Sequence, residues 1–213
     1  MMEFERFNPF PGLRSFEAEE DHLFFGREGR IDELLARLRE NRFLAVVGTS
    51  GSGKSSLVRS GLIPSLYSGF MTRAGSSWRV AVFRPGDDPI GNMAAALNDP
   101  EVLGVEGELA DTNRSLVEAT LRRSSLGLPE CVSAANVPGD ENLLVLVDQF
   151  EELFRFKRNT RIKGSSDDAA AFINLLLEAS RQEDVPVYIV LTMRSDFIGN
   201  LTEFRGLAEA VNE

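Results

Sequence analysis

A chain of 213 residues with 43% apolar and 26% charged side chains is long enough to bury its own core, so it needs no disulfide or structural metal to fold. Its single cysteine, Cys131, excludes a disulfide framework and cysteine-based zinc sites and fits a reducing, cytoplasmic setting, and with one histidine, His22, metal clusters and Ser-His or Cys-His catalysis lose most of their parts. A formal charge of −10 argues against a protein that coats nucleic acid or anionic membrane, no apolar run approaches the roughly 20 residues of a membrane helix, and the start lacks a secretory signal.

Residues 1 to 28 interleave Phe4, Phe7, Phe10, Phe16, Phe24 and Phe25 with Pro9, Pro11 and an acidic cluster from Glu17 to Asp21. They read as an irregular arm packed on a domain formed by residues 29 to 213. From Gly29 to Arg42, Ile31, Leu34, Leu35 and Leu38 recur at helical spacing. Phe43 to Val47 is a continuous apolar run ahead of a Gly/Ser-rich stretch, as expected of a buried parallel strand entering a loop. A helix is predicted from Lys54, ending near Pro64 to Gly69.

Trp78 to Phe83 reads as a second strand, Ile90 to Leu126 as helical in pieces, and Ser124 to Asp140, with Gly127, Pro129, Pro138 and Gly139, as a loop. Leu143 to Val147 is a third buried strand, after which Phe150, Leu153 and Phe154 begin a helix. Phe172, Leu175, Leu176 and Ala179 mark the next helix, and Val187 to Thr192 a fourth strand. Strands alternating with helices predict an α/β fold in three layers, with a mostly parallel sheet covered on both faces.

Gly48, Thr49, Ser50, Gly51, Ser52, Gly53, Lys54 and Ser55 match the pattern G-x-x-x-x-G-K-S/T in full. Chance would supply such a match in about two of a thousand shuffled chains of this composition. The motif also lies between a predicted strand and a predicted helix, where its chemistry needs it. The glycines let successive amides converge on phosphate oxygens at the positive end of the helix that begins Lys54-Ser55-Ser56. Lys54 would reach the terminal phosphates, and Ser55 would offer its hydroxyl to Mg²⁺. The competing reading is a plain Gly/Ser turn. A dinucleotide fingerprint starting at Gly51 fails, because Ser56 stands where Gly or Ala is required.

Asp148 follows the third strand directly, which puts a carboxylate at the strand edge where parallel sheets bind ligands. It would hold Mg²⁺ through water, while Glu151 or Glu152 would orient and deprotonate an attacking water. Taken alone, these carboxylates could simply complement a helix N-terminus. Thr192 and Arg194 end the fourth strand and should face the same crevice, where Arg194 could sense or stabilise terminal-phosphate charge. Arg155, Lys157, Arg158, Arg161 and Lys163 form a basic stretch that suits a solvated helix C-terminus better than a nucleic-acid surface.

Three segments together resemble the novel STAND NTPases, signal-transduction ATPases related to NACHT proteins. They are Asn8-Pro-Phe-Pro-Gly-Leu-Arg-Ser-Phe16 with Phe24-Phe-Gly-Arg-Glu28, the phosphate loop running on through Ser55-Ser-Leu-Val-Arg-Ser-Gly-Leu-Ile-Pro64, and Val147-Asp-Gln-Phe-Glu-Glu-Leu-Phe154. The resemblance implies an additional-strand P-loop fold, with the acidic strand separated from the phosphate-loop strand by the fourth one. It also implies that Phe25, Gly26 and Arg27 cover the adenine, and that Thr192 to Arg194 form a first sensor. The NACHT form of the acidic motif has carboxylates at i, i+3 and i+4, here Asp148, Glu151 and Glu152. Gln149 stands where many wider relatives carry the catalytic Glu, so either glutamate could act.

Family members continue into a fifth strand, a helical or winged-helix module, and sensor repeats. This chain is therefore expected to be the NTPase segment of a larger protein, C-terminally incomplete and lacking parts needed for turnover. The resulting expectation is a switch that binds ATP, or GTP, with Mg²⁺ and hydrolyses it slowly, controlling a signalling or defence protein through its C-terminal regulatory and repeat modules. The segment is expected to be mainly monomeric, with a homo-oligomer forming on activation. The rival readings are a non-catalytic nucleotide-dependent interaction module and a small-molecule kinase.

Overall fold

Alternation along the strands divides the apolar side chains between two cores, one on each face of a four-stranded, all-parallel sheet. The computed structural model describes residues 12, 14–71, 77–135, 137–138, 141–159 and 165–212. The strands are β1 (Phe43–Gly48), β2 (Ser77–Phe83), β3 (Glu141–Val147) and β4 (Val187–Arg194), in the order β1-β4-β3-β2. Central β3 and β4 are apolar at nearly every position because both of their faces are covered. Leu143, Val145, Val147, Ile189 and Leu191 face one core; Leu144, Leu146, Tyr188 and Val190 face the other.

The second core is closed by α1 (Glu28–Glu40), through Leu35 and Leu38, and by the helix that follows β1. That helix runs continuously through α2 (Lys54–Ser56), a wider π-helical stretch (Leu57–Leu62) and α3 (Ile63–Tyr67). At Gly61 it lies so close to α1 that an added Cβ would stand 2.8 Å from the Ile31 side chain. Across the sheet, the first core is covered by α4 (Pro89–Leu97), α5 (Ala110–Arg123), α6 (Gly127–Ala134), α7 (Glu152–Asn159) and α8 (Ser165–Arg181). A 3-10 segment, Ser195–Glu203, leads from β4 towards α9 (Leu207–Asn212).

β4 lies between β1 and β3, the strand arrangement of the additional-strand P-loop class. Because all strands are parallel, the ends of β1, β3 and β4 open onto the same edge.

Three segments depart from expectation. The arm read as irregular contains a 3-10 helix, Ala18–Leu23. Part of the 124–140 loop is helix α6, whose Pro129 occupies the first turn, where a missing N–H removes no intrahelical bond. Phe150 lies in a turn rather than a helix, and α7 begins two residues later at Glu152. The aromatic residues Phe4, Phe7 and Phe10, with Pro9 and Pro11, lie outside the described residues. Arg155 is exposed, while the side chains of Lys157, Arg158, Arg161 and Lys163 also lie outside them. Among the described residues no helix is long and apolar enough to cross a membrane.

Candidate functional site

The turn after β1 owes its shape to two glycines. Gly51 (φ 73°) and Gly53 (φ 82°) adopt left-handed backbone conformations that a side chain would strain, and nothing lies within 4 Å of a Cβ built at either position. The loop is therefore an open cradle of main chain. Gly48 is confined instead, since a Cβ there would approach Ser52 Oγ to 2.8 Å. Lys54 Nζ donates to the Thr49 carbonyl at 2.8 Å, which lays the ammonium back across the loop. The helix then starts, its first amides without intrahelical acceptors, and Leu57 N–H donates to the Gly53 carbonyl at 2.8 Å.

Asp148 is 1% exposed and fully engaged. Its Oδ1 accepts from Ser55 Oγ at 2.7 Å and from Thr192 Oγ1 at 2.6 Å, so one oxygen ties the end of β3 to β4 and to the start of the helix that follows β1. Its Oδ2 faces Arg59 Nη2 at 3.3 Å. A buried carboxylate is tolerated only with such partners. The hydroxyl of Ser55 and the carboxylate of Asp148 are hard oxygen donors of the kind that suit Mg²⁺, which takes few protein ligands and completes its shell with phosphate and water. Residues present thus fit the ion that the motif implies. Among the described residues there is no group of three or more His, Cys, Asp or Glu side chains that could hold a metal ion by itself.

Beyond Asp148 the chain kinks at Gln149, whose φ of 58° is the one left-handed non-glycine conformation among the described residues. Gln149 N–H donates to Thr192 Oγ1 at 3.0 Å, and Phe150 N–H to the Thr192 carbonyl at 2.8 Å, which fixes the turn against β4. With its amide oriented by its neighbours, Gln149 donates to Glu152 Oε1 at 3.2 Å and accepts from Arg84 Nη2 at 3.0 Å.

After the kink the two glutamates take different partners. Glu151, 7% exposed, accepts the Arg194 N–H at 3.3 Å and so leans towards β4 and β1. Glu152 accepts the Gly86 N–H at 3.3 Å and leans the other way, towards the end of β2. Arg194 pairs in register with Gly48, but its guanidinium is bonded to Asp196 and lies 5.9 Å from the Phe197 ring centroid, with Nε buried and unpartnered. Phe197 stacks on Phe154, which also packs against Phe150 and Phe204 and so anchors this turn to the core.

A cavity of about 510 Å³ extends from the loop along β1 to α1. Its wall includes Thr49, Ser52, Gly53 and Lys54 of the loop, Leu34 and Leu57 of the two flanking helices, and Arg27 just ahead of α1. Arg27 thus reaches the same space as the phosphate loop, but Phe25 and Gly26 are not among its lining residues. Phe25 is 76% exposed, and Gly26 N–H caps Glu28 Oε1 at 2.9 Å. Ser56 does not line the cavity either, and its Oγ accepts the Phe16 N–H at 3.1 Å.

Sequence reading missed Arg59 and Glu17. Arg59 is four residues after Ser55, one helical turn away, and that spacing was the available signal. Nothing in the sequence marks Glu17 as its partner.

The model of the family described as Novel STAND NTPase 1 matches residues 9–213. A comparison with curated proteins returned no match. With a family match over nearly its full length, and with β4 inserted between the loop-bearing and acidic strands, the chain belongs to the novel STAND NTPases.

Proposed function

We propose that this chain is a Mg²⁺-dependent nucleotide switch that binds ATP and hydrolyses it slowly, controlling the assembly of a larger signalling or defence protein. One observation carries the reading: Gly48, Gly53, Lys54 and Arg27 wall a single cavity, and Ser55, next along the same loop, is bonded to the buried Asp148. The phosphates occupy the cradle, where the Gly51 and Gly53 amides and the helix N-terminus face them. Lys54 exchanges the Thr49 carbonyl for terminal-phosphate oxygens. The base lies towards Leu34, Leu57 and Arg27, with Phe25 and Gly26 as the flanking segment. Ser55 and, through water, Asp148 would hold the metal, which would neutralise charge on the terminal phosphates. Glu151 accepts a proton from the attacking water, and Arg194 responds to charge on the terminal phosphate by leaving Asp196.

Each charge-assisted phosphate contact contributes about 1.5–3 kcal/mol, so Lys54→Ala weakens ATP binding roughly 10-fold or more. Isothermal calorimetry measures this directly, and equal affinity in the two proteins would refute the site assignment.

A second reading, a nucleotide-dependent interaction module without turnover, draws support from the glutamates. Both are hydrogen-bonded to main-chain amides, and neither lines the cavity. Tight ATP binding without phosphate release would favour it, whereas release abolished by Glu151→Gln favours the switch. A competition titration of ATP against GTP sets the base preference in either case.

A further inference from the structure

The side chain of Arg59 is 19% exposed and spans two anions. Its Nη1 meets Glu17 Oε2 at 2.7 Å and its Nη2 meets Asp148 Oδ2 at 3.3 Å. Glu17 belongs to the arm, which is pinned to the same helix at two further points. Ser60 Oγ donates to the Glu17 carbonyl at 2.7 Å, and Phe16 N–H donates to Ser56 Oγ at 3.1 Å. Ser55 and Arg59, one turn apart, therefore grip the two oxygens of one carboxylate, and the second grip continues outward into the arm.

We propose that Arg59 is a positioning residue for the metal-holding carboxylate and that it couples the N-terminal arm, through Glu17, to occupancy of the metal site. The inference rests on the nucleotide-site reading above. Arg59 orders Asp148, yet its positive charge opposes a second cation at that carboxylate. Glu17 offsets that charge. A cation drawn to Asp148 weakens the hold of Asp148 on Arg59 and shifts the guanidinium towards Glu17, which tightens the arm. Arg59 and Glu17 thus act with opposite sign on metal affinity, which a purely structural tie would not do.

The test uses the full chain, the non-hydrolysable analogue adenylyl imidodiphosphate and a Mg²⁺ titration of its binding. Glu17→Gln raises the half-saturating Mg²⁺ concentration about two- to fivefold, the range of a half-exposed ion pair. Arg59→Gln lowers it by a similar factor, and binding of the analogue in excess chelator changes less than either midpoint. In the wild type, Mg²⁺ with the analogue slows amide exchange at Phe16, and this slowing is lost in Glu17→Gln. Unchanged midpoints, shifts of the same sign, or exchange at Phe16 indifferent to ligand would overturn the coupling. If Arg59→Gln does not fold, the Glu17→Gln midpoint alone decides. A wild type that binds the analogue at no Mg²⁺ concentration overturns both this inference and the nucleotide-site reading; Mg²⁺-dependent binding with insensitive variants overturns only the inference.

Discussion

The two adjacent glutamates differ more than their shared chemistry suggests. Gln149 holds a strained left-handed backbone, of the sort that costs about 1–3 kcal/mol and persists only where surroundings enforce it. Just after it, Glu151 accepts from the Arg194 amide, whose register partner is Gly48, while Glu152 accepts from Gly86 beyond the end of β2. Glu151→Gln keeps the shape and the amide contact but removes the proposed base, so it should bind ATP normally and turn over at least about 100-fold more slowly. Glu152→Gln should leave most of the rate intact. Phosphate release measured on both variants checks this assignment, and the reverse ranking would transfer the role to Glu152. The carboxylates themselves were legible from the spacing of Asp148, Glu151 and Glu152. Their opposite directions were not, because they are set by two main-chain amides, of Arg194 and Gly86, that lie far away in sequence.

At the scale of elements, the strands were legible because central parallel strands must be apolar on both faces, as Leu143 to Val147 and Val187 to Thr192 are. Helix α6 was hidden by its own start signals, since a glycine and a proline within three residues also describe a loop. Its glycine has a packing reason. A Cβ on Gly127 would stand 2.5 Å from the Thr120 carbonyl oxygen and 2.7 Å from Leu121 Cα, both main-chain atoms of α5. Gly127→Ala should therefore push α5 and α6 apart and cost about 1–3 kcal/mol, read as a lower urea midpoint at unchanged slope. The arm has its own element-scale dependence. Arg14 hydrogen-bonds Glu20 and, with the Glu17 amide, pulls the Glu20 carboxyl down from an ordinary 4.5 to about 2. A lowered pKa stabilises the arm fully above about 4.5 and loses that support as pH falls towards 2. Amide exchange at Glu17 to Leu23 should accelerate across that window, and a flat profile would separate the arm from this ion pair.

For the whole molecule, the site is a property of topology rather than of any one segment. The phosphate loop, the acidic turn and the polar end of β4 lie far apart in sequence, yet one oxygen of Asp148 accepts from Ser55 and Thr192 together. The sequence motifs announced each part, but only the order β1-β4-β3 explains why a threonine hydroxyl completes the carboxylate's shell. Because three strand ends and the arm converge there, a bound nucleotide should stabilise the fold as a unit. At a nucleotide concentration 100 times its dissociation constant, linkage contributes about 2.7 kcal/mol, provided the unfolded chain does not bind. A chain of this size shifts its midpoint by roughly 2–4 °C per kcal/mol, so Mg²⁺ with ATP analogue should raise the Tm by about 5–10 °C. Lys54→Ala, tested at the same nucleotide concentration, should lose about half of that shift, because a 10-fold weaker affinity removes about 1.4 kcal/mol of linkage. Differential scanning calorimetry on the two proteins, each with and without ligand, separates this from a change in intrinsic stability, since the unliganded midpoints should agree. A Tm shift of equal size in both would mean that the nucleotide stabilises the chain from somewhere other than the glycine cradle.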